Sequence, residues 1–100
     1  MIKAPRSLTI EVAEALAIQA LTYIAGDAER LGRFLAITGI GPAEIRAASA
    51  EPGFLAGVLD YVAGNEKMVT EFATEAGIDP AHIGVARAAL GGGNWEREVP

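Results

Sequence analysis

Every stretch of this chain with an apolar pattern carries it at helical spacing, and most are opened by a capping residue or proline and closed by glycine. Thr9 is placed to cap a first helix, with Glu11 and Glu14 near its positive end, and Gly26 stops it after about Ala25. Asp27 caps a second, in which Leu31, Phe34, Leu35 and Thr38 fall on one buried face and Glu29 and Arg33 on the other. Gly39 and Gly41 end it, and Pro42 starts a short third helix through about Ala50. Pro52 opens a fourth, striped by Phe54, Leu55, Val58, Leu59 and Val62 and closed by Gly64. Asn65 caps a fifth with Met68, Val69, Phe72 and Ala73 inside and Glu66, Lys67, Glu71 and Glu75 outside, until Gly77. Asp79 and Pro80 supply the cap and first position of a sixth, which buries Ile83, Ala86 and Leu90. No alternating strand pattern survives between these segments. The expected fold is all-α: a compact bundle of five or six short helices, the first of them central.

The first helix earns that place by its wheel. Glu11, Glu14, Gln19 and Thr22 fall within an arc of about 140°, leaving roughly 220° apolar, and Ile18 sits inside the polar arc itself. An ordinary surface helix is not so apolar. Either the helix has neighbours on two sides, or part of it meets a second chain.

Composition bounds the rest. One hundred residues suit one domain, expected over 1–90, with 91–100 a flexible tail in which Trp95 is the one residue suited to docking. With 51% apolar residues and only six aromatics, the interior is aliphatic and alanine-rich, suited to close helix packing. The absence of cysteine excludes disulfides, thiolate nucleophiles and cysteine metal sites, and fits a cytoplasmic protein. Glu11 and Glu14 interrupt the apolar run a signal peptide needs after Lys3 and Arg6, and Gln19 and Thr22 break the longest candidate membrane span. The net charge of -5 lies wholly in residues 51–100, since residues 1–50 hold equal numbers of acidic and basic side chains. Such a balance argues against nucleic acid as a partner, because phosphate neutralisation by Lys and Arg supplies most of that affinity.

Three stretches, ALTYIAGDAERLGRFLAITGI, RAASAEPGFLAGVLDYVAGNEKMVTEFATEAGIDP and VARAALGG, occur in unbroken order from about residue 20 to residue 91. In these the chain resembles a family of small alphaproteobacterial proteins catalogued as a domain of unknown function. The resemblance implies a compact helical fold and a bacterial cytoplasmic origin, and it implies no activity and no catalytic or binding residue.

The sharpest functional pattern is Thr38-Gly39-Ile40-Gly41-Pro42, which looks like the turn of a helix-hairpin-helix nucleic-acid-binding motif. There, glycines let backbone N–H groups approach a phosphate and the next helix adds its positive end. Gly39, Gly41 and Arg46 would form that phosphate-contacting turn, but Ala43 and Glu44 follow Pro42 where such hairpins commonly place a lysine, so the charge is lacking. His82, the one histidine, follows Asp79 by three residues, a spacing at which a carboxylate could orient an imidazole, although Asp79 is already explained as a cap. The acidic residues of the fifth helix have the spacing of a solvated face, and no zinc, calcium, P-loop or dinucleotide pattern is present, so no metal and no cofactor is expected. The leading expectation is a non-enzymatic protein-interaction domain, as a homodimer or with another protein, through a surface containing Ile10, Ile18 and Leu21. The alternative is a weak nucleic-acid binder using the turn from Gly39 to Arg46.

Overall fold

A computed structural model describes residues 8–91. Its elements are α1 (Ile10–Ala25), α2 (Ala28–Thr38), a 3-10 turn (Pro42–Glu44), α3 (Ile45–Ala48), α4 (Pro52–Ala63), α5 (Glu66–Ala76) and α6 (Ala81–Ala89), with no strand among the described residues. The expected tail with Trp95 lies outside them.

Helix α1 is the hub. It packs chiefly on α4 and α6, then on α2, and least on α5. Its buried residues are Ala13, Leu16, Ala17, Ala20, Leu21, Tyr23 and Ile24, which cover an arc of roughly 160°. Three of them are alanines with no exposed surface, and side chains so short let the neighbouring helices approach closely. Opposite them stand Val58, Leu59 and Val62 of α4 and Ile83 and Ala86 of α6, all buried. Of the two arrangements the wheel allows, neighbours on two sides accounts for most of the apolar arc. Arg87 of α6 forms an ion pair with Asp60 of α4 at the solvent edge of this layer.

The caps act as their chemistry requires. Thr9 Oγ1 accepts from the Val12 N–H at 3.2 Å, Asp27 Oδ1 from the Glu29 and Arg30 N–H groups at 2.8 and 3.2 Å, and Asn65 Oδ1 from the Met68 N–H at 3.1 Å. Gly39 and Gly77 end α2 and α5 at φ 75° and 71°, the left-handed region glycine enters without strain. After α5 the Ile78 N–H donates to the Ala73 carbonyl and the Gly77 N–H to that of Thr74, the paired bonds of a Schellman ending. The Asp79 carboxylate accepts from the Ala81 N–H at 2.8 Å as a cap does, while α6 begins at Ala81, one residue later than expected.

Two expectations change in the segment from Ala28 to Ala50. Thr38, expected on the buried face of α2, is exposed, and its hydroxyl donates back to the Phe34 carbonyl at 2.9 Å. Ile37 beside it is exposed too, and at this open end of α2 the polar atom is satisfied on its own helix. The third helix is not continuous from Pro42 to Ala50. Gly41 and Glu44 close a 3-10 turn, the Glu44 N–H donating to the Gly41 carbonyl at 2.9 Å, and one α-helical turn follows. In α2 only Phe34 is fully buried, its ring edge-on to those of Phe54 and Tyr61 at centroid distances of 6.2 and 5.1 Å.

Candidate interaction groove

Between the C-terminal half of α1 and α5 lies an open groove of about 610 Å³. From α1 it is lined by Ile18, Gln19, Thr22 and Tyr23, from α5 by Phe72, Glu75 and Ala76, and Gly26 and Arg30 close the end where the chain bends into α2. A second hollow of about 410 Å³ shares Tyr23, Arg30 and Glu75 and continues along α5 past Thr70, Glu71 and Thr74.

Tyr23 organises the junction. Its hydroxyl donates to Glu71 Oε1 at 2.7 Å, and its ring lies 5.7 Å from that of Phe72 and beneath the Arg30 guanidinium, 4.0 Å from the centroid. Burial, and next the hydrogen bond to Glu71, push the Tyr23 hydroxyl up from its ordinary 10.0 to about 12. It therefore remains a donor across the neutral range, holding α1 to α5. Arg30 also donates through Nη2 to the Tyr23 carbonyl at 2.6 Å, so the cation in the groove wall is occupied with its own chain. Asp27, which starts α2, has its carboxyl held below the usual value of 3.8, first by the Arg30 N–H and then by that of Glu29.

Of the residues expected on an interaction surface, Ile10 and Ile18 are 55% and 40% exposed, but Leu21 is 8% exposed and belongs to the core. Leu21 stands at the edge of the buried arc, where α1's neighbours reach it, so it is not available to a partner. Only Ile18 lines the groove; Ile10 lies about 12 Å away along the helix axis. The nucleic-acid-like turn is otherwise engaged. The Gly39 N–H donates to the Leu35 carbonyl at 2.8 Å, and the Gly41 N–H to Glu44 Oε1 at 2.9 Å. A carboxylate thus sits on the backbone donor a phosphate would need, and Arg46 is exposed on α3 beyond it. The His82 ring is likewise apart from the Asp79 carboxylate, its Nδ1 lying 3.1 Å from the Asp79 backbone carbonyl. No group of three or more His, Asp or Glu side chains suited to a metal ion converges among the described residues, and no helix among them is long and apolar enough to cross a membrane.

Sequence reasoning passed over Arg30 and the Tyr23–Glu71 bond. Tyr23 and Arg30 are separated by the break at Gly26 and Asp27, so no single helical wheel relates them. Glu71 lies 48 residues beyond Tyr23, and its spacing on α5 reads as plain solvated surface.

These elements define a small all-α bundle, built around its first helix and grooved on one side. The chain belongs to the family described as protein of unknown function DUF3572, which matches residues 10–93 and so takes in all six helices and the groove. A search of curated proteins and a search of solved structures each found no match.

Proposed function

We propose that this chain is a non-enzymatic protein-interaction domain of the bacterial cytoplasm, and that it receives its partner along the groove between α1 and α5. The observation that carries this reading is the exposed Ile18 on the lip of a groove of about 610 Å³, a size at which protein surfaces commonly hold ligand groups. An isolated exposed isoleucine is ordinary; one that borders a cavity lined also by the half-buried Ala76 and floored by the buried Phe72 offers an apolar contact within a concave site. Two of the polar groups around it are occupied in holding helices, Tyr23 on Glu71 and Arg30 on Tyr23. They serve binding shape rather than proton transfer. His82, which acid–base chemistry would call on, faces a backbone carbonyl.

The test compares the wild-type chain with Ile18→Asp, by affinity purification from its native cells and by light scattering over a range of concentration. A partner, whether a second copy or another protein, is expected with the wild type and lost with the variant. A wild type that stays monomeric and retains nothing beyond what Ile18→Asp retains overturns the reading.

A further inference from the structure

The two lips of the groove differ in charge. Along α5, Glu71 and Glu75 are four residues apart and so lie on one face, with roughly 6 Å between their Cβ atoms. Glu71 accepts the Tyr23 hydroxyl, whereas Glu75 makes no hydrogen bond or ion pair among the described residues. Arg30, the cation in the wall, is stacked on Tyr23 and bonded to its carbonyl. The hydroxyls of Thr22 and Thr70 donate to the Ile18 and Glu66 carbonyls of their own helices. What the groove presents outward is therefore uncharged on the α1 side, where Ile18 stands beside the Gln19 amide, and anionic on the α5 side.

Two antiparallel or crossed helices with a valley between them are a seat for a third helix, whose apolar stripe enters the valley while its flanks meet the lips. Resting on the interaction reading above, we propose that the occupant is a basic amphipathic helix of another protein, with aliphatic side chains against Ile18 and Ala76 and lysine or arginine along Glu71 and Glu75. Arg30 keeps its positive charge and offsets one of these two carboxylates, so an acidic helix would still meet a lining that is negative by one charge. A basic one meets complementary charge, which guides encounter and fixes orientation.

The probe is a fluorescent leucine–lysine amphipathic peptide of roughly 18 residues, long enough to lie along all of α5. Its binding to the full chain is followed by anisotropy, beside a leucine–glutamate peptide of the same pattern. The lysine peptide is expected to bind and the glutamate peptide not. Glu75→Lys is expected to weaken the lysine peptide about tenfold by removing one complementary charge and adding a like one. Ile18→Asp is expected to weaken it by a similar factor, roughly tenfold, although it adds negative charge to the protein. General attraction of a cationic peptide to an acidic chain would instead be strengthened by Ile18→Asp. Both residues are exposed, and circular dichroism of the variants checks that the helices remain.

Binding of the lysine peptide that is unchanged or tighter in Ile18→Asp overturns the proposal, as does equal binding of the two peptides. If the glutamate peptide alone binds and is lost in Ile18→Asp, the basic partner is wrong while the groove remains an interaction site. If neither peptide binds yet the wild type still retains a partner that Ile18→Asp loses, the helix chemistry is wrong and the broader reading again survives.

Discussion

The layer of α1, α4 and α6 and the segment from α2 to α3 carry similar apolar spacing and meet different fates. In the first, the expected inward positions Leu55, Val58, Leu59, Val62, Ile83, Ala86 and Leu90 are buried and Phe54 is half-buried. In the second, of Leu31, Phe34, Leu35 and Thr38 only Phe34 is buried, and Ile37 is 66% exposed. The difference lies in neighbours. Each helix of the layer has two others against it, whereas α2 rests on α1 and touches α4 through one aromatic cluster. An apolar stripe states which face a helix offers; whether the face is covered depends on what the chain brings to it.

The sharpest way to break this contrast is Phe34→Ala. Loss of a buried phenylalanine costs about 3–5 kcal/mol where the site cannot collapse. Here the loss is expected to fall on the segment from Ala28 to Ala50, read as amide exchange rising there while α1, α4 and α6 remain protected. Equal loss of protection across all helices would show that the segment and the layer unfold as one unit. Ala17→Leu tests the layer itself. Ala17 has no exposed surface, and overpacking there is expected to destabilise the whole chain by about 1–3 kcal/mol in urea unfolding.

A smaller effect is expected at the seam to α5. Tyr23→Phe removes the bond to Glu71, worth about 1 kcal/mol or somewhat more because the acceptor is charged. It also changes the alkaline response. Because Tyr23 is raised in the folded chain, the unfolded chain loses this proton first as pH rises from 10.0, and stability falls until about pH 12. Below pH 10.0 its contribution is complete. The variant is expected to show a shallower decline across that window in thermal melts at stepped pH. The smallest effect is expected at Arg87→Ala. Its ion pair with Asp60 is half-exposed on both sides, so the loss is expected to be under about 1 kcal/mol and to shrink further in salt.

How far the fold was legible follows the same contrast. Caps at Thr9, Asp27 and Asn65 and the glycine stops are local chemistry, and each stands where the sequence placed it. The stripe of α4 was equally readable because nearly its whole apolar face is covered. Thr38, Leu21 and the divided third helix were not, since each turned on what lies nearby in space rather than in sequence. The groove was half legible. Ile18 drew notice as an isoleucine among polar residues, but its setting depends on Phe72, Glu75 and Ala76, some fifty residues on.

The central position of α1 has a consequence for how the molecule is made. It leaves the ribosome before any of the helices that cover it, and α6, one of its two main neighbours, is the last to be completed. At roughly 5–20 residues per second, several seconds separate the two. Through that interval the wide apolar face of α1 is without its final shelter, so the birth of this protein, more than its mature state, is when it is most open to aggregation or to the hold of a chaperone.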